Sequence, residues 1–77
     1  MRYMFMVITG DTYIGEQSEE AGAPIFDVEE TIDEAFDCIK KFNSEITREE
    51  VKNYFVNVSS KYVYGSRYVR IQQYRTA

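Results

Sequence analysis

The chain opens with an unbroken hydrophobic run. In RYMFMVIT (residues 2–9), Tyr3, Phe5 and Val7 alternate with Met4, Met6 and Ile8, so both faces of an extended segment are apolar. A strand apolar on both sides belongs at the centre of a sheet, and Gly10-Asp11 supplies its end. The next stretch, TYIGEQSEEAGAP (12–24), is polar and punctuated by Gly15, Gly22 and Pro24. It reads as a loop, with TYI extending a hairpin at its start. PIFDV (24–28) has room for a short second strand, and Pro24 suits the start of an edge strand.

The period then changes. Ile32, Ala35, Phe36, Ile39 and Phe42 recur at helical spacing and predict a main helix over 31–43 with one apolar face. Thr31 is an N-cap candidate with Glu34 as its capping-box partner, while Asp27 and Glu30 offer a second box one turn earlier. Glu29, Glu30, Asp33 and Glu34 crowd the start and Lys40 and Lys41 the end, as the helix dipole favours. Asn43 suits a left-handed cap. In ITREEVKNYF (46–55), Thr47 and Glu50 form another box, with Ile46 and Val51 at the hydrophobic-staple positions. A short second helix over 48–54 follows from this.

From YFVNVSSKYVY onward the chain turns β-branched and aromatic, predicting a strand over 55–64. Gly65-Ser66 is a two-residue turn leading to a last strand over 67–75. That turn sets a register: Tyr64 opposite Arg67, Tyr62 opposite Val69, Lys61 opposite Arg70. One face then carries Val58, Tyr62, Tyr64, Val69 and Ile71 and faces the core. The other carries Ser59, Lys61, Val63, Tyr68, Arg70, Gln72 and Tyr74, a solvated, basic, tyrosine-bearing face. Lys61 opposite Arg70 is a like-charge pair, unfavourable unless an anion or an acid lies nearby. The fold class is α+β. A small antiparallel sheet of three to four strands (2–9, 24–28, 55–64, 67–75) packs on the main helix 31–43 and a short second helix 48–54. All of 1–77 forms one domain, enough for one small core.

Charge adds a second pattern. Residues 1–50 hold thirteen acids against four bases, whereas 51–77 hold five bases and no acid, for a net −4. Such a split suggests two faces of opposite sign, or internal complementarity with basic strands beside an acidic helix. Candidate contacts for a partner are therefore the acidic face, Glu29, Glu30, Asp33, Glu34 and Asp37, and the hairpin face, Lys61, Arg67, Tyr68, Arg70 and Tyr74.

Chemistry-bearing motifs are sparse. There is no histidine and a single cysteine, Cys38, so zinc sets and an intrachain disulfide are excluded. Cys38 flanks the apolar stripe as a small hydrophobe and has no histidine to activate it. The acidic run lacks the spacing of a calcium loop, and no phosphate loop or catalytic triad pattern occurs. Asn57-Val58-Ser59 matches a glycosylation acceptor by chance, inside a predicted strand. The expectation is a protein without cofactor or metal, and not an enzyme. The apolar start is short for a signal segment and far below the ~20 residues of a membrane span. With one unpaired cysteine, this points to the cytoplasm and away from the membrane.

In general character the chain resembles the small acidic inhibitors that bacteriophages encode against host enzymes and defences, including anti-CRISPR proteins. The resemblance is carried by the length, the strand RYMFMVIT, the segment EEAGAPIFDVEETIDEAFD and the hairpin KYVYGSRYVRIQQY. It implies a protein-binding module that occludes a nucleic-acid-binding, basic groove on a host protein. Those inhibitors share no common sequence, so no residue role is transferred. Two other readings stay open: a small nucleic-acid-binding protein that uses Lys61, Arg67, Arg70 and Arg75 on phosphates and Tyr68 and Tyr74 on bases, and a homodimer made by edge strands or opposite-charge faces.

Overall fold

A computed structural model describes residues 2–76. Its elements run β1 (Arg2–Asp11), β2 (Gly15–Ala21), α1 (Val28–Lys40), α2 (Arg48–Asn57), β3 (Lys61–Tyr64) and β4 (Arg67–Thr76). The strands form one antiparallel sheet in the order β2-β1-β4-β3, giving the α+β architecture. The doubly apolar β1 is central, as its pattern requires, and pairs with β4 along its whole length, from Arg2↔Thr76 to Asp11↔Arg67. Both helices lie against one face. There Val7 and Val69 meet Ile32, Ala35 and Ile39 of α1, together with Ile46 and Val51 at the start of α2. The β3–β4 register is the one the Gly65-Ser66 turn dictates, with Tyr62↔Val69 and Lys61↔Arg70; Gly65 has φ +62°, which only a glycine adopts freely.

Four expectations are corrected. The second strand is Gly15–Ala21, inside the stretch read as loop; Ile25 of the 24–28 segment contributes only an isolated bridge to Phe5. GEQSEEA has almost no β-forming residues, and pairing with a central strand overrides that preference. Helix α1 begins a turn before Thr31, because Asp27 caps it: its carboxylate accepts from the N–H groups of Glu29 (2.7 Å) and Glu30 (3.1 Å). Thr31 is buried in the first turn and donates its hydroxyl to the Asp27 carbonyl. The helix closes at Lys41 in a right-handed conformation, with the N–H groups of Phe42 and Asn43 returning to the Ile39 carbonyl, so Asn43 takes no left-handed cap.

The boundary between α2 and β3 also moves. Helix α2 runs to Asn57, and β3 is reduced to Lys61–Tyr64. Phe55 stands one turn after the fully buried Val51 and packs on the core, which holds 55–57 helical despite their β-forming composition. Val58 is accordingly exposed and off the core face. The Tyr54 hydroxyl donates to the Lys61 carbonyl (2.6 Å) and its ring meets Tyr62 edge-on, tying the helix to the short strand. The N-cap and staple of α2 stand where the sequence places them: Thr47 caps through Glu50 N–H, and Ile46 and Val51 are buried.

Candidate functional site

The sheet face away from the helices is the one the sequence marks as solvated and basic. It carries Lys61 and Val63 of β3, Tyr68, Arg70, Gln72 and Tyr74 of β4, and Met4, Met6, Ile8 and Gly10 of β1. Its upper half is not open. The β1–β2 pairing shifts between Thr9↔Glu20 and Asp11↔Gly15, so β2 advances five residues while β1 advances two. The extra residues interrupt the ladder as a bulge in β2. Ser18 pins it: its hydroxyl accepts from the Asp11 N–H (3.0 Å) and donates to the Gly15 carbonyl (3.0 Å). The hairpin tip is held by an Asx turn, Tyr13 N–H to the Asp11 carboxylate at 2.7 Å.

The bulge brings Glu19 over β4. Its carboxylate accepts from the Tyr68 hydroxyl (2.6 Å) and forms a forked pair with the Arg70 guanidinium, at 2.7 Å from Nε and 3.1 Å from Nη2. Arg70 also donates to Gln72 (2.6 Å), and the Lys61 ammonium lies 4.3 Å from the centre of the Tyr68 ring. The outer part of the Tyr68 ring and its hydroxyl lie over Gly10 of β1, where any Cβ would collide with them. Tyr68 is only 2 % exposed as a result. The like-charge pair Lys61↔Arg70 thus has its neighbouring acid, and it comes from β2 and not from a helix.

The electrostatics follow from these contacts. Hydrogen bonds from Arg70 and then Tyr68 hold the Glu19 carboxyl down at about 2, against the opposing effect of burial. The same bond to Glu19 pushes the Tyr68 phenol up to about 12. Arg70 is held more firmly protonated by Glu19. Among the described residues, every buried side-chain polar atom has a hydrogen-bond partner.

The other hairpin-face candidates are scattered. Arg67 points to the helix side of the sheet, its guanidinium 5.8 Å from the centre of the Phe42 ring, and so does not join Lys61 and Arg70. Tyr74 is half-buried beside Met4, on the same face as Arg70 but outside the Glu19 cluster. Of the solvated basic face expected from sequence, Tyr68 is buried and Arg70 neutralised.

The acidic candidates divide too. Glu29 and Asp33 are engaged by α2: Arg48 bonds Asp33 and Glu29 (2.7 Å to the latter), and Lys52 bonds Glu29 (3.0 Å). Arg48, then Lys52, lowers the Glu29 carboxyl below its ordinary range. These pairs are half exposed and act mainly to orient one helix on the other. Glu30, Glu34 and Asp37 are exposed, spaced four and three residues apart on the outer side of α1, and have no ion-pair partner among the described residues. The Cys38 thiol, half-buried, lies 3.9 Å from the Glu34 carboxylate; burial, then that charge, pushes it up and away from the nucleophilic thiolate. Among the described residues no cluster of three or more His, Cys, Asp or Glu could hold a metal ion, and no helix is long and apolar enough to cross a membrane.

Sequence reasoning missed Glu19, Gly10, Ser18 and the helix-pairing bases Arg48 and Lys52. One signal pointed to Glu19: the unfavourable Lys61–Arg70 juxtaposition, which calls for an acid. No protein-family model, curated protein or solved structure matches the chain.

Proposed function

We propose that this chain is a small protein-binding module that docks on a basic groove of another protein through the outer stripe of α1, in the manner of an inhibitor that occludes a host protein. The observation that carries the reading is a line of acid on one side of a rigid helix: Glu30, Glu34 and Asp37 stand exposed together with no ion-pair partner among the described residues. A rigid helix presenting uncompensated carboxylates steers encounter with a basic surface and orients docking. Tyr13, 92 % exposed at the β1–β2 tip, offers the kind of aromatic area that interfaces use.

The nucleic-acid reading loses two of its parts, Tyr68 and Arg70. A stacking platform needs an open aromatic ring and free cations, but Tyr68 is buried and Arg70 is committed to Glu19. The two readings separate by a pulldown from the native host with mass-spectrometric identification, repeated with Glu30, Glu34 and Asp37 all changed to Lys. The triple change leaves the Arg48 and Lys52 pairs intact, so the fold should persist by circular dichroism. Affinity for the captured partner should fall at least about a hundredfold. Undiminished affinity, or retention of the parent protein on single-stranded nucleic acid at ~50 mM salt, would overturn the assignment.

A further inference from the structure

Without β2, the sheet face away from the helices would carry one sign of charge. Among the described residues, β1, β3 and β4 present three charged side chains there, Arg2, Lys61 and Arg70, all of them basic. Tyr68 and Tyr74 stand on the same face, to either side of Arg70 along β4. The acids over this face come from β2. Glu19 grips Tyr68 and Arg70, and Glu16 lines the same groove as Lys61 and Arg70, near enough for its charge to act on Arg70 and Tyr68.

β2 is fastened by polar contacts. None of its seven residues is buried, and none carries a large apolar side chain. Its ladder to β1 consists of Ile8↔Ala21, Thr9↔Glu20 and, past the bulge, Asp11↔Gly15. Between these, Ser18 bonds Asp11 and Gly15, and Glu19 bonds β4. The flanks are pinned: the Thr12 N–H donates to the Ser66 carbonyl (2.6 Å) before β2, and the Gly22 N–H to the Val7 carbonyl (2.9 Å) after it. A segment pinned at its ends and held between them by a few polar bonds opens locally at less cost than a core strand. Ile8 and Tyr68 on this face are 5 % and 2 % exposed, yet neither belongs to the helix-side core.

We infer that β2 is an autoinhibitory strap: Glu19 fills, from within the chain, an anion cradle made by the Arg70 fork, the Tyr68 hydroxyl and Lys61, and lifting the strap turns this face into a binding surface for single-stranded nucleic acid. A forked arginine beside an aromatic ring suits a phosphate and the base next to it. Glu16 and Glu19 leave together when the strap lifts, so the face keeps only its bases. An acidic peptide would match that charge but make no use of Tyr68 and Tyr74, which offer ring faces to bases. The ligand binds only the open fraction of the protein, so its apparent affinity for the parent chain is reduced by that fraction. The face lies across the sheet from α1, and the site is separate from the acidic stripe there.

The test compares Glu19→Gln, which removes the latching charge and keeps the shape, with Glu20→Gln. The second makes the same charge change on the strap, at the residue paired with Thr9 on the helix side of the sheet. The probe is a fluorescently labelled oligothymidylate of about ten nucleotides, read by anisotropy at ~50 mM salt. Glu19→Gln should bind at least about tenfold tighter than the parent, and added salt should remove the gain. Glu20→Gln should match the parent, and adding Arg70→Ala to Glu19→Gln should return the affinity to the parent level. Hydrogen exchange in the parent protein needs no variant. The Asp11 N–H, bonded to the Ser18 hydroxyl, should exchange through a local opening, faster than the amides that join β1 to β4. The inference is overturned if folded Glu19→Gln binds no tighter than the parent or than Glu20→Gln. A glutamate-rich peptide that gains as much as the oligonucleotide would equally refute it, as would an Asp11 amide that exchanges only with the whole sheet.

Discussion

Tyr68 shows how much a single residue depends on what lies beneath and above it. Its ring replaces the side chain that Gly10 lacks, in the way an aromatic covers a strand glycine across a pair. Its hydroxyl then reaches Glu19 beyond β1. Gly10→Ala would drive a methyl group into that ring, lifting it off β1 and away from Glu19. The expected loss is about 1–3 kcal/mol in urea denaturation, the range for overpacking a filled site. The same change at Gly15, where no atom lies near a Cβ, would act only through its φ of +82°. In the sequence Gly10 reads as the end of a strand, which is half of its role. The other half depends on the residue opposite it in β4, and the hairpin register gives no view of that partner.

At the scale of elements, periodicity was readable wherever a segment buries one clean face. β1, α1 and the β3–β4 turn all follow from spacing, because Val7, Ile32, Ala35, Ile39 and Val69 make one core. What spacing could not resolve was competition. Asp27 and Thr31 both offer caps for α1, and Asp27 prevails because Thr31 is drawn into the core beside Ile32. Asp27→Ala should therefore destabilise the protein by about 1 kcal/mol, by thermal or urea melts, as the loss of a sole N-cap does. An unchanged midpoint would mean that Thr31 can take over the cap. β2 was hidden for another reason: as an acidic edge strand with a bulge, it owes its conformation to β1 and to the Ser18 bonds rather than to its own composition.

For the molecule as a whole, the division into an acidic N-terminal part and a basic C-terminal part is met inside the fold at two of the five C-terminal bases. Arg70 is met by Glu19 and Lys52 by Glu29, so each cross-pair joins the two parts of the chain. Which of the charges named from sequence stay free was not legible there, since that depends on a bulge that swings Glu19 across the sheet. The consequence can be measured as a pH dependence. A carboxyl held near 2 in the fold and at 4.5 when unfolded contributes stability that is complete above pH 4.5 and is lost as the pH falls towards 2. The Tyr68 phenol, raised from 10 to about 12, contributes stability complete below pH 10 and lost as the pH rises towards 12. The most direct test is the titration of the Glu19 side-chain carboxyl followed by ¹³C NMR in the folded protein. A midpoint at about 2 is the result this account predicts. A midpoint at the ordinary 4.5 would mean that Glu19 does not engage Arg70 and Tyr68, and that the basic tyrosine-bearing ribbon is free for a partner after all.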